Sequence, residues 1–207
     1  MPSSTFFRLP PEKQEKLLRA AQSEFARVPF ADASINRIIQ AADISRGSFY
    51  MYFRDKEELF TYLLDACAHT LEQLALDSLE QYGGDPFAAL LDLFDRVQAY
   101  GRLPERDPAF EGMMRMFQLN YPMNPALILR SGAPGSPLPR LASQIDRGLF
   151  DLRHPDDLGD CLHLLCAVTG SSILTGLQSG APAPARTRLV RVFDILQRGM
   201  SSKESRP

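Results

Sequence analysis

The sequence has 207 residues but no tryptophan, three cysteines and three histidines. Cys67, Cys161 and Cys166 make no CxxC pair and no disulfide framework, which fits a reduced, cytoplasmic setting. None of the histidines lies beside a nucleophile and an orienting acid, so no catalytic constellation is visible and an enzyme is not expected. GxxxxGK[ST], GxSxG, HExxH and GxGxxG are all absent, which removes the common phosphate, hydrolase, zinc-protease and dinucleotide signatures. Cys161, His163 and Cys166 share one predicted helix. Positions 161 and 163 point about 200° apart there, and 161 to 166 is not an i,i+4 step. No metal site and no cofactor are therefore expected.

Other things are scarce as well. There is no alternating strand pattern and no internal repeat. The first residues carry no apolar run, and Glu12, Lys13, Glu15 and Lys16 speak against a signal peptide. No charged residue occurs between Asp160 and Arg186, a length that could cross a bilayer. His163, Gly170, Ser171, Ser172, Gly176, Gln178, Gly180, Pro182 and Pro184 interrupt that stretch, so a buried helix is expected in place of a span. Net charge is only −2, yet it is unevenly divided. Residues 1–56 hold nine basic and six acidic side chains, and residues 57–207 hold 14 and 19. The N-terminal quarter is the part suited to meet an anion.

What is present is helical periodicity, from which an all-α chain is predicted. Pro10, Pro11 and Glu12 open a first helix with Leu17, Leu18, Ala21 and Phe25 on one face, ending before Pro29. Ser34 is placed to cap a short helix carrying Ile35, Ile38, Ile39 and Ala42. Ala42, Asp43 and Ile44 interrupt it, and Ser45 caps a second short helix from Arg46 to about Tyr50. Two short helices joined this closely form a helix-turn-helix pattern. Asp55 caps the next helix, which runs on Leu59, Leu63, Cys67, Leu71 and Leu74 to about Tyr82, before Gly83 and Gly84. Helices then follow from Asp85-Pro86, over 138–150, from His154 to about Gln178, and over about 186–200. The proline-rich stretch 104–139 reads as short helices and a loop at 131–137. The expected domains are 1–55 and 56–200, with a frayed polar tail over 201–207.

The segment from Asp32 to Phe60 contains Ile-Ser-Arg-Gly-Ser-Phe-Tyr-Met-Tyr-Phe-Arg-Asp-Lys-Glu-Glu-Leu from Ile44 to Leu59. It closely resembles the DNA-binding segment of the TetR family of bacterial repressors, over roughly residues 11–65, with the spacing of the family signature intact. Independent chemistry agrees. Gly47 and Ser48 are small enough for close approach to a groove, Arg46 can reach guanine or phosphate, and Tyr50 and Tyr52 present hydroxyls. Ser34 and Ser45 sit at helix starts, where free N–H groups favour a phosphate, and Lys56 adds a charge there. Taken singly, the tyrosines also read as core aromatics and the cations as a solvated face.

The resemblance implies an N-terminal three-helix DNA-binding domain and a C-terminal helical bundle for effector binding and dimerisation. Ser45, Arg46, Gly47, Ser48, Tyr50 and Met51 would lie on or beside the major-groove face. Tyr50, Tyr52 and Lys56 resemble phosphate-clamping positions, and Asn36 and Arg37 positions that also reach bases. Phe110, Met113, Met114, Met116, Phe117, Tyr121 and Met123 form a soft apolar cluster that reads either as core or as part of a permissive pocket. With the family's central cavity in view, candidate lining residues are Phe87, Leu90, Phe94, Met113, Met114, Phe117 and Tyr121. The last two helices would build the homodimer through Leu158, Leu162, Leu165, Val168, Ile173, Leu189, Val192, Phe193 and Leu196.

The expected function is a homodimeric transcriptional regulator. It would be a repressor released from a palindromic double-stranded DNA operator when a small, apolar effector shifts the 56–82 helix. The alternatives are a small-molecule-binding protein or enzyme of the same fold that has lost DNA binding, and an architectural DNA-binding protein with no effector.

Overall fold

The computed structural model describes residues 1–100, 108–120 and 138–200. Among them are ten α-helices and no strand. The described residues divide into two units, one built from residues 1–68 and 108–120 and the other from residues 69–100 and 138–200.

The first unit begins with a short helix α1 (Ser4–Phe7), which sequence periodicity does not reveal because four residues make only one turn. It buries Phe6 completely. Helix α2 (Pro11–Arg27) starts at a proline, where the missing N–H costs nothing, and inserts Leu17, Ala21 and Phe25 into the core. A 3-10 turn, Phe30–Asp32, leads into α3 (Ile35–Ala42). Asp43 ends α3 in the left-handed conformation at φ 56°, and α4 (Arg46–Tyr52) follows. Ser45 caps α4 by accepting the Ser48 N–H at 3.0 Å. Phe49 and Phe53 are fully buried and anchor α4 from beneath.

Helix α5 (Lys56–Gln81) starts at Asp55, whose carboxylate accepts the Glu58 N–H at 2.7 Å. Its residues divide between the units. Leu59, Phe60, Leu64 and Cys67 are buried in the first, Ala75, Ser78 and Leu79 in the second. The predicted stripe residues Leu63, Leu71 and Leu74 are only half-buried. The first unit is completed by α7 (Pro108–Asn120), packed on α2. A β-carbon on Gly112 would lie 3.4 Å from the Gln22 side chain, an ordinary van der Waals contact.

In the second unit, Gly83 and Gly84 take positive φ and end α5. A β-carbon on Gly84 would come within 2.7 Å of the Gln144 carbonyl oxygen, so glycine is required there. Asp85 then accepts the Phe87 N–H at 2.8 Å and starts α6 (Pro86–Tyr100). Helix α8 (Leu138–Gln144) is shorter than predicted, and the chain continues into a 3-10 turn, Arg147–Leu149, capped by Asp146. Helix α9 (Asp157–Ser179) packs against α6, α8 and α10 (Pro182–Met200). The last helix starts earlier than expected. Pro182 and Pro184 lie in its first turn, where proline is tolerated, so the Ala-Pro-Ala-Pro stretch is helix in place of a connection. Helix α9 is long and apolar enough to cross a membrane by length and composition alone. Its Leu158, Leu162, Leu165 and Ile173 are buried within the second unit, and 33% of its apolar window is buried in all.

Candidate nucleic-acid interface

The face of the first unit formed by α3 and α4 is built from the inside out. Beneath it, Ile38, Phe49 and Phe53 are fully buried. Above it, Asn36, Arg37, Ser45, Arg46, Gly47, Tyr50 and Met51 are exposed, and Ser34, Ser48, Tyr52 and Lys56 are half-buried. Tyr50 and Met51 keep 45% and 60% of their surface open, and a β-carbon on Gly47 would meet only the Ser45 hydroxyl at 3.7 Å. The fold itself therefore does not need glycine at 47.

Several of these side chains already have partners. Arg46 Nη1 donates to Asn36 Oδ1 at 3.1 Å, and Nη2 lies 3.5 Å from the Tyr50 hydroxyl. The Ser45 and Ser48 hydroxyls pair at 2.9 Å. Ser34 occupies the cap position of α3, but its hydroxyl makes no cap bond. Its N–H donates instead to Glu24 Oε1 at 3.0 Å. Arg37 Nε lies 3.4 Å from Glu24 Oε2. Glu24, on α2, is thus a buried hub that also takes two hydrogen bonds from Arg27. The Arg27 guanidinium, more than anything else, holds its carboxyl below the usual glutamate range, with burial opposing.

Lys56 has a structural task that its position in the motif does not announce. Its ammonium donates to the carbonyl oxygens of Phe30, Ala31 and Ala33 at 2.7, 3.2 and 2.9 Å. Those bonds match its three donors, and the group also lies 4.6 Å from the centre of the Phe30 ring. The 3-10 turn before α3 is thereby tied to the start of α5. The same turn is held from α7, where buried Asn120 accepts the Phe30 N–H at 2.7 Å. The far end of α4 is held by residues 3–6. Ser3 donates its N–H to the Tyr52 carbonyl at 2.9 Å and its hydroxyl to the Met51 carbonyl at 2.6 Å. Phe6 packs among Tyr52, Phe53 and Tyr62. Glu24, Asn120, Ser3 and Phe6 escape sequence reasoning because each works through partners, backbone or side chain, whose arrangement exists only in the fold.

The candidate effector residues separate. Phe87, Leu90 and Phe94 are buried on α6 in the second unit, where Phe87 stacks on Phe150 at 6.1 Å. Met113 is half-buried, and Met114 and Phe117 are buried, on α7 in the first unit. Tyr121, Met123, the loop 131–137 and the tail 201–207 lie outside the described residues. Of the candidate dimer residues, Leu158, Leu162, Leu165, Ile173, Leu189 and Phe193 are buried within a single chain, and Val168, Val192 and Leu196 are half-buried. The large apolar side chains left exposed on α9 and α10 are Leu164, Val190 and Ile195. Periodicity finds an apolar stripe but does not tell a protomer's own core from a surface for a partner. Among the described residues, no three metal-binding side chains gather.

Two short helices, the second buried on one side and open on the other, define a helix-turn-helix protein of all-helical architecture. Residues 17–63 match the family profile described as bacterial regulatory proteins, tetR family. The chain is 27% identical over 86 residues to the HTH-type transcriptional regulator AcrR of Shigella flexneri, covering 42% of this chain and 40% of that one. It is 40% identical over 53 residues to the uncharacterized HTH-type transcriptional regulator YdgC of Bacillus subtilis, covering 26% and 27%. The chain thus spans less than half the length of these curated relatives. Across 98% of the chain the fold resembles a TetR family transcriptional regulator from Chloroflexus aurantiacus, with 25% identity, TM-score 0.50 and all of that chain covered. A TetR family neighbour from Shewanella sp. PV-4, at 16% identity, shares the fold with TM-score 0.62 over 92% of this chain and 99% of that one. The chain thus resembles TetR family regulators, in sequence over residues 17–63 and in fold over nearly its whole length.

Proposed function

We propose that the protein is a cytoplasmic, homodimeric transcriptional repressor that binds a palindromic DNA operator through α4 and releases it when a small, apolar effector binds. The observation that carries this reading is the outer face of α4. Gly47, Tyr50 and Met51 are exposed there, the fold does not need glycine at 47, and the same helix bears Arg46, held by the neutral side chains of Asn36 and Tyr50. A helix entering the major groove needs such a face, with small residues for approach and donors for base edges. Ser45, Arg46, Gly47, Ser48, Tyr50 and Met51 would face the groove, with Asn36, Arg37, Ser34, Tyr52 and Lys56 around them.

Support for dimerisation comes from Leu164, Val190 and Ile195, exposed apolar groups on the two last helices. A second copy of the chain would cover them, since homodimer interfaces are richer in apolar side chains than the rest of a protein surface. Support for effector response comes from α7. It carries Met113, Met114 and Phe117, adaptable apolar groups, and its Asn120 grips the turn that starts α3. A ligand that displaced α7 would therefore act on the reading head, and its leverage would equal its difference in affinity for the two states.

Selection of binding sites from random duplexes by the full-length protein tests the reading. A palindromic consensus bound less tightly as salt rises supports it. Absence of any selected, salt-sensitive site overturns it.

A further inference from the structure

The contacts of Arg46 set it apart from Arg37 and Arg54, its neighbours in the helix-turn-helix segment. Arg37 lies against the Glu24 carboxylate and Arg54 against that of Asp55, at 3.4 and 2.9 Å. Both charges are thereby partly answered within the protein. Arg46 is instead held by neutral groups on two different helices. Asn36 on α3 accepts from Nη1, and Tyr50, one turn along α4, presents its hydroxyl to Nη2 and its ring centre 5.8 Å from the guanidinium carbon. Asn36, Arg46 and Tyr50 are all exposed, so no core packing calls for this arrangement.

Two consequences follow from elementary chemistry. A guanidinium with neutral acceptors keeps its full positive charge and, with one N–H of each terminal nitrogen engaged, still has a second N–H on each to offer. Holding a long side chain in one rotamer in advance also removes much of the ordering cost that a loose arginine meets on binding. A phosphate can be met by a mobile cation as well as by an oriented fork. The coplanar acceptors of a base edge can be met only by an oriented guanidinium plane. In the major groove that pair is O6 and N7 of guanine.

We propose that Arg46 reads one guanine in each half-site and that Asn36 is a positioning residue, acting on that base through Arg46 and making no base contact of its own. The proposal rests on the DNA-binding reading above and narrows it. Asn36 Oδ1 is already committed to Arg46, so the bidentate pattern by which an asparagine recognises adenine is not open to it in this arrangement.

The experiment compares site selection from random duplexes by full-length wild-type protein, Arg46→Ala, Asn36→Ala and the double variant, each checked for unchanged helical content. Arg46→Ala is expected to lose the preference for guanine at one base pair per half-site, on the order of tenfold or more. Asn36→Ala is expected to weaken the preference at that same base pair and at no other. The double variant should be no worse than Arg46→Ala alone, because the two residues act as one unit. Replacing that guanine by 7-deazaguanine, which removes the N7 acceptor, should lower wild-type affinity and leave Arg46→Ala indifferent. Three results overturn the proposal. Asn36→Ala could alter preference at a different base pair, which would make Asn36 a reader itself. Arg46→Ala could weaken all duplexes equally and lower the salt slope by about one, the mark of a phosphate contact. The double variant could show the full sum of two independent losses. Failure of the wild type to select any duplex is a separate result and overturns the DNA-binding reading as well.

Discussion

The side-chain oxygen of Asn120 accepts the backbone N–H of Phe30 at 2.7 Å across 90 residues of sequence, and its amide nitrogen donates to the Met116 carbonyl at 2.7 Å. One buried side chain thus joins α7 to the turn that launches α3. Replacing Asn120 by alanine leaves the Phe30 N–H without its acceptor, a loss of about 1–3 kcal/mol. Urea unfolding should show that loss, and operator affinity should fall with it. An unchanged midpoint would mean that the bond contributes nothing to holding the turn.

Gly47 gives a prediction in which stability and binding move in opposite directions. The space beyond its Cα contains only the Ser45 hydroxyl at 3.7 Å, and alanine is the better helix former by up to about 1 kcal/mol. Gly47→Ala should therefore leave thermal stability equal or raised while weakening DNA binding, because the added methyl stands between helix and groove. Fluorescence anisotropy with a selected duplex, beside a melting curve, reads both quantities.

Asp43 takes φ 56° at the end of α3. The left-handed region costs most side chains about 1–2 kcal/mol, less for aspartate, and costs glycine nothing. The exposed contact from Lys16 at 3.5 Å offsets little of it. Asp43→Gly should raise the unfolding midpoint and Asp43→Val should lower it, as measured by urea titration.

Glu24 makes the head sensitive to acid. Its carboxyl is held below the ordinary glutamate range, first by the Arg27 hydrogen bonds and also by the Ser34 N–H. A lowered folded-state pKa means that the folded state binds the proton less readily than the unfolded chain. The resulting stability is fully present above the unfolded glutamate pKa, about 4.3, and is lost as pH falls through the lower folded value. Glu24→Gln should be less stable than wild type at pH 7, with the gap narrowing as pH falls below about 4. A gap independent of pH would show that the hub does not work through its charge.

The helix-turn-helix was legible in the sequence because its signals are local. Ser45 and Asp55 do cap the helices they precede, and the residues from Ile44 to Leu59 stand at the expected spacing. Lys56 marks the limit of that reading. Its place in the motif suggests a phosphate partner, yet its three hydrogen bonds run to carbonyls 23 to 26 residues earlier in the chain. Helix α1 was invisible because one turn has no period, and Phe6 owes its burial to an aromatic cluster assembled from distant positions. The C-terminal helices were legible as helices. Which of their apolar residues faced inward was not, since Leu165 and Leu164 both lie on an apolar helix and only the first is buried. The soft cluster around Met114 was correctly apolar, but its association with α2 in the head depends on tertiary contact that a single stretch of sequence does not encode.

The most direct measurement of the central claim is protection of guanine N7 from methylation on a duplex selected by the full-length protein. N7 lies in the major groove, where α4 is proposed to enter. The account expects protection in two patches about one helical turn apart, ~34–36 Å, with the patch opposite Arg46 lost in Arg46→Ala. Methylation unaltered by the wild-type protein at concentrations that saturate the duplex would contradict it.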